Sequence, residues 1–330
     1  MATVRDVARH AGVSVGTASK VLANNRTVKV HLRERVEQAV RALGYKPNLA
    51  ARALRTQAID VIGLIVPDIT NPFFSQLAKN IELEAATRGY VLMFANSLDD
   101  PRVEQTQVST LLNYSPKGLI VVAAADSDDS TVESSTPIVA LDRRFDGRVL
   151  IATDHYTSSR LVADHLYELG HRHIGYISGP QNTTVGRLRL SGFRDRIGEL
   201  TTASDPIELV IFNAQFDFDS GEAAARELLG RSPALRPTAI ATANDQLAIG
   251  TLRAARDLDI SVPEKLSVAG FDDITLAPLV APRLTTVAQP SDLLAKAAVA
   301  ALLADDGQRD DILIGGSLIV RGSTAPAPTS

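Results

Sequence analysis

The sequence predicts an α/β protein: a small N-terminal helix-turn-helix head, a short hinge helix and a two-lobed core of parallel sheets. Three observations carry this. The first 22 residues hold two short helices around a glycine turn. From Ile59 onward, nearly continuous apolar strands alternate with amphipathic helices, the pattern of parallel sheets covered on both faces. Charge divides at the same place. Residues 1–57 hold 11 Lys and Arg against 3 acids, a net +8, while the 330-residue chain is −4 overall, so the rest carries −12.

The head reads element by element. Thr3 and Asp6 have the spacing of a capping box, and Val7, Ala8 and Ala11 share one helical face. Gly12 ends this helix, because a glycine accepts the left-handed backbone of a turn. Ser14 caps a second helix whose inward face includes Val21 and Leu22. Ala23–Arg26 is a polar loop, and a third helix runs from about Val30 to Leu43, closed by Gly44. Pro47 forbids its continuation but suits the start of another helix, expected through Arg55. That helix spans about two turns, too few to persist alone in water. A helix, a glycine turn and a capped second helix on a basic segment predict a module whose second helix enters the DNA major groove.

Composition narrows the remainder. Hydrophobic content of 45% and charged content of 22% predict a globular protein with a substantial core. The absence of cysteine excludes disulfides, thiolate metal sites and a cysteine nucleophile. No apolar run approaches the roughly 18 residues of a membrane span, and no signal-peptide core opens the chain. A cytoplasmic location is expected. The core strands are read at 61–66, 91–95, 119–123, 137–141, 149–152, 173–178, 207–212, 238–242 and 266–271, with helices between them. A last helix (293–303) and one strand (312–320) are expected to return to complete the lobes. Residues 126–130 read as a solvated acidic turn, and the tail 322–330 as disordered. No leucine heptad follows Val320, so a homodimer is expected rather than a tetramer.

These residues resemble the lactose-repressor (LacI/GalR) family of bacterial transcription regulators. The resemblance spans essentially the whole chain. It is carried by Val4–Ala8, Ala11–Ser14, Thr17–Leu22, Gly44–Asn48 and Ala51–Leu54, and in the body by Gly170–Gly175, Gly179-Pro180, Arg187–Phe193, Pro237–Ala239, Ala243–Asp245 and Gly270–Asp273. It implies a head at 1–46, a hinge at 47–57 and a periplasmic-binding-protein-like core at 58–330. The first lobe is drawn from about 58–155 and 290–317, the second from about 156–289 and 318–323. It implies a repressor of pseudo-palindromic double-stranded operator DNA. Val15, Gly16, Thr17 and Lys20 match base-reading positions. Gly16 has no side chain to read with, so direct readout is thinner here. Leu54 matches a hinge leucine that wedges into the minor groove. The full set of expected DNA contacts is Thr3, Ser14, Val15, Gly16, Thr17, Lys20, Asn24, Arg26, Tyr45, Asn48, Ala51, Leu54 and Arg55.

A catalytic reading finds little. There is no nucleophile elbow, phosphate loop or dinucleotide fingerprint. His171 and His173 open a strand without a third ligand, so neither a metal nor a cofactor is expected. Binding is better supported. Asp68, Asp142, Asp154, Asn244 and Asp272 fall at strand C-terminal ends, where open α/β sheets hold ligands. Phe73, Phe74 and Phe216 lie beside them and offer rings for stacking. Helix capping is the competing role for the acids, above all Asp68, Asp245 and Asp273. Arg189 matches a family position that donates to the effector. The expected effector set is Phe73, Phe74, Asp142, Asp154, Arg189, Phe216, Asn244, Asp272 and Gln289. Its ligand is a small polar molecule, a sugar or sugar derivative, with a purine or nucleoside or a protein partner as alternatives. A ligand-binding protein without a regulatory role is the reading from another class.

Overall fold

The computed structural model describes residues 2–22, 28–45, 60–126, 132, 134–232, 235–304 and 310–328. The chain divides into two compact units, Met1–Ile59 and Asp60–Ser330. The expected hinge helix lies outside the described residues, as do Asn24, Arg26, Asn48, Ala51, Leu54 and Arg55.

In the first unit, helix α1 (Val4–Ala11) opens on a reciprocal cap. The Asp6 amide donates to the Thr3 hydroxyl at 3.3 Å, and the Thr3 amide donates to the Asp6 carboxylate at 2.9 Å. Gly12 follows at φ 60°, a left-handed position that glycine enters without a Cβ clash. Helix α2 (Val15–Leu22) begins at Ser14, whose hydroxyl accepts from the Thr17 amide at 3.1 Å. Helix α3 (Val30–Ala42) begins at Lys29 with no side-chain cap. Val7, Ala8, Ala11, Ala18, Val21, Val36 and Ala39 form the core, with Tyr45 packed beside them. Burial of so few small side chains holds three helices only narrowly.

The second unit has two lobes. The chain enters the first through β1 (Val61–Val66), α4 (Pro72–Thr87), β2 (Val91–Asn96), α5 (Pro101–Asn113), β3 (Gly118–Val121), β4 (Ile138–Leu141) and β5 (Leu150–Thr153). It crosses to the second through α6 (His155–Glu168), β6 (His173–Ser178), α7 (Thr184–Leu200), β7 (Glu208–Asn213), α8 (Phe218–Leu229), β8 (Ala239–Thr242), α9 (Asp245–Asp257), β9 (Ser267–Asp272) and β10 (Thr285–Ala288). It returns for α10 (Ser291–Leu302) and β11 (Ile312–Ile314), then crosses once more for β12 (Ser317–Ile319). The first sheet runs β11-β5-β4-β3-β1-β2 and the second β12-β10-β9-β8-β6-β7. All pairings are parallel except β10 with β12. β1, β3, β4, β5, β8 and β9 are buried almost throughout, as strands covered on both faces must be.

Four expectations are corrected. The single strand at 312–320 is two strands in different sheets, with Gly315-Gly316 between them. β10 was not foreseen. It is four residues long, too short for its apolar spacing to register. Of the acidic turn expected at 126–130, residues 127–130 lie outside the described residues, and Asp126 is tied down rather than left to solvent. Its carboxylate accepts from Thr184 Oγ1 and Arg187 Nη2, both at 2.6 Å, across the gap between lobes. The tail is ordered through 328. Ser323 is fully buried, accepting from the Thr285 amide at 2.8 Å and donating to the Val268 carbonyl at 2.6 Å. Buried His171 bonds Thr238, Ser267 and the Ala325 carbonyl, so this histidine fastens the tail to the second lobe.

Ser323→Ala strips partners from a buried amide and a buried carbonyl. Urea denaturation is expected to show a loss of about 1–3 kcal/mol. A disordered tail would leave stability unchanged.

Candidate functional site

In the first unit, Val15, Gly16 and Lys20 lie on the exposed side of α2, opposite buried Ala18 and Val21. Ser14 is also exposed, and Thr17 is half-buried against it, their hydroxyls 2.9 Å apart. Thr3 is exposed, but its hydroxyl already serves the α1 cap. Tyr45 is half-buried on the head core. One helix face therefore presents a methyl-bearing side chain, a bare backbone position and an ammonium, with nothing bulky between them.

In the second unit, the strand ends of both lobes converge on a cleft. A narrow inner chamber is lined by Asn71, Phe73, Phe74, Asp142, Arg143, Val185, Arg189, Phe216, Asn244 and Asp272. It adjoins an outer chamber that shares Arg143 and Phe216 with it and is otherwise rimmed by Ala124, Pro180 and polar residues, including Asp68, Asp99 and Asn182.

Local folding places each group. Asn71 caps α4, its side chain accepting from the Phe73 amide, and Pro72 follows at the helix start. This sets Phe73 and Phe74 in the first turn, ring centroids 5.3 Å apart. Asp142 directly follows β4 at φ 61° and Asp272 ends β9 at φ 112°. Such conformations are strained for residues with a Cβ and persist where their surroundings enforce them. Beneath Asp272, buried Asp245 does so. Its carboxylate accepts from the Ile274 amide at 2.9 Å and from Thr286 Oγ1 at 2.5 Å. Gly270 is required for this, since a Cβ there would collide with that carboxylate.

The charges are tightly arranged. Buried Arg189 pairs with Asp272 at 3.0 Å, donates to the Ala243 carbonyl at 2.6 Å and lies 3.9 Å over the Phe271 ring. Gln289 donates to Asp272 at 2.7 Å and accepts from Thr153 of the first lobe at 2.7 Å. Buried Arg143 donates to the Ala123 and Ala124 carbonyls and stands over Phe74. Burial pushes the Asp272 carboxyl up to about 6, against the pull of Arg189 and Gln289. Burial would also raise Asp142, but the His155 hydrogen bond, with Arg189 and Arg143 nearby, holds it below the usual range. Glu104 accepts from the Ala124 amide at 2.6 Å, and burial lifts it to about 7.

The sequence-derived candidates thus separate. Phe73, Phe74, Asp142, Arg189, Phe216, Asn244 and Asp272 meet in the inner chamber. Gln289 stands behind it and orients Asp272. Asp154 is corrected: it is absent from the lining, and its carboxylate caps α6 by accepting from the Thr157 amide. Asn244 combines both roles, capping α9 while lining the chamber. Asn71 and Arg143 were missed. Their signals were present, an Asn before Pro72-Phe73-Phe74 and an Arg directly after the strand-end Asp142. Among the described residues, no group of three or more His, Cys, Asp and Glu is arranged to hold a metal.

Comparison with known proteins gives concordant matches. The profile described as bacterial regulatory proteins, lacI family, matches residues 3–48, and that of a periplasmic binding protein-like domain matches 163–324. The ribose operon repressor of Escherichia coli (strain K12) is 34% identical, covering 92% of this chain and 92% of its own length. The solved lac repressor dimer bound to operator and the anti-inducer ONPF superposes with a TM-score of 0.84 at 28% identity, covering 98% of this chain and 99% of that one. A LacI family regulator from Enterococcus faecium, solved with bound ribose, gives a TM-score of 0.70 at 28% identity over 81% of this chain and 99% of its own.

Arg189→Ala leaves Asp272 buried without its cation. Near neutral pH, denaturation is expected to show a loss of about 3–5 kcal/mol. The sign of its pH dependence follows from the raised Asp272 value. The folded state holds a proton that the unfolded chain releases near 3.8, so stability falls as pH rises between the two values. Removing Arg189 raises the folded value further, so the deficit is expected to shrink as pH is lowered from 8 toward about 5.

Proposed function

The chain belongs to the lacI family of bacterial regulatory proteins, and from that premise we propose a cytoplasmic repressor whose operator affinity is lowered by a pentose of the ribose type. DNA binding and transcriptional regulation belong to the family reading. The effector, the sign of its action and the residues that hold it are the proposal. No catalytic role is part of it, and no helix of the described residues is long and apolar enough to cross a membrane.

One observation carries the effector assignment. Two carboxylates, two guanidiniums, two amides and three aromatic rings converge on one small chamber from both lobes. Carboxylates accept paired hydroxyls, guanidiniums donate to ring and hydroxyl oxygens, and the rings pack against the C–H faces of a sugar. The relative named for the ribose operon and the neighbour with bound ribose make D-ribose the first ligand to try.

The test is operator binding by fluorescence anisotropy, titrated with D-ribose and then with other sugars and nucleosides. Ribose is expected to release the operator, and a nucleoside acting alone would redirect the assignment. Ribose hydroxyls need the ionised Asp272. Affinity is therefore expected to weaken as pH falls through about 6, approaching tenfold per pH unit, in calorimetric titrations. A pH-independent affinity would count against Asp272 as an acceptor.

A second copy of the chain is the proposed occupant of the apolar surface of the core. Val91 and Phe94 lie exposed on edge strand β2, with Leu83 of α4 and Leu98 also exposed in this lobe. In the other lobe Leu279, 76% exposed, lies next to a cavity lined by Ile249, Leu252, Val262, Val280 and Pro282. Apolar side chains left exposed on an unpaired sheet edge offer a template for another chain, and the lac repressor neighbour is described as a dimer. Leu279→Lys is expected to shift sedimentation toward monomer and to weaken operator binding in parallel. Undiminished operator binding by a monomer would rule the dimer out as the binding species.

A further inference from the structure

His155 is the first residue of α6, immediately after the chain first crosses between lobes. It is buried and lies behind the chamber, not in its lining. Both lobes reach its ring. From the first lobe, Asp142 Oδ1 lies 3.1 Å from Nε2. From the second, Arg189 Nε donates to Nδ1 at 3.3 Å. A guanidinium has only hydrogens to offer, so Nδ1 must present its lone pair. The ring proton is then on Nε2, which donates to Asp142. This is a neutral imidazole in one fixed tautomer. A second proton would set N–H against N–H at Arg189. The Phe271 ring stands 5.9 Å away, and Asp154 is the other charged group whose field reaches the ring. Burial and Arg189 hold the imidazole below the usual histidine range, over the pull of Asp142 and Asp154.

We propose that His155 is a positioning residue for the effector, a neutral bridge that aims Asp142 of one lobe and Arg189 of the other at a shared ligand. It touches no ligand itself. Without it, each lobe keeps its charged group but loses the fixed geometry between them. The affinity arm of the test rests on the sugar reading given above; the second arm does not.

The full-length chain is compared with His155→Gln and His155→Leu. Gln keeps one donor and one acceptor, while Leu keeps bulk and removes both. Calorimetry with D-ribose is expected to show the Leu variant at least about tenfold weaker and the Gln variant within about threefold of the parent. A Leu variant equal to the parent overturns the proposal. So does a Gln variant as weak as Leu, because ring shape rather than hydrogen bonding would then matter. The second measurement is nitrogen-15 NMR of labelled histidines in the parent chain without sugar. The signal absent from His155→Gln is expected to report a protonated Nε2 and a bare Nδ1, unchanged from about pH 8 to about 6. A proton on Nδ1, or titration with the ordinary midpoint near 6.5, overturns the proposal. If the parent chain takes up no ribose, the sugar reading fails alone, and the tautomer still decides the role of His155.

Discussion

The core depends on one buried guanidinium. Arg189 satisfies an acid, a carbonyl, an imidazole and the face of a ring at once. A cation with so little water contact is tolerable only when its donors are used, and the partners are arranged accordingly. Asp272 faces it from a left-handed backbone that Asp245 underpins, and Gly270 leaves room for Asp245. Three features of different appearance, a strained turn, a buried acid and a glycine in a strand, thus have one cause.

That arrangement also explains how the lobes communicate. From Arg189 the chain of contacts passes through His155 to Asp142 in one direction, and through Asp272 and Gln289 to Thr153 in the other. Both routes end in the opposite lobe. Asp126 adds a contact nearer the surface, where solvent screens it and its contribution is smaller. A polar ligand among these groups competes for donors and acceptors that otherwise hold the lobes together. On the proposed function, binding and lobe geometry are coupled by these shared hydrogen bonds.

Much of this was legible in the sequence because the fold repeats one rule. Apolar strands ending in a polar residue give both the sheets and most of the chamber, including Asp142, Asn244 and Asp272. The head was legible for a different reason, its caps and its charge. What escaped depends on three-dimensional neighbours. Asp154 has the strand-end position of the chamber acids, but its carboxylate folds back onto its own helix. Asn71 reads locally as a helix cap and Arg143 as a surface cation, and only the packing of their neighbours turns both toward the chamber. His155 carries no motif, and its role arises only where two lobes meet. The tail looked disordered because Ala, Pro and Ser dominate it, yet Ser323 and the Ala325 carbonyl find buried partners in β9, β10 and His171.

The triple passage of the chain between lobes has a consequence for descent. Each lobe is assembled from segments that are not contiguous: the first needs β11, which comes after the whole of the second lobe's β6–β10, and the second needs β12, which comes after β11. A single recombination breakpoint between β5 and α6 brings in a relative's whole second lobe, but also its α10 and β11, so the first sheet becomes a hybrid of two parents. Exchange of one lobe therefore carries with it the seam of the other: β11 must pair with a β5 from a different parent, and the match along that one edge decides whether the hybrid folds.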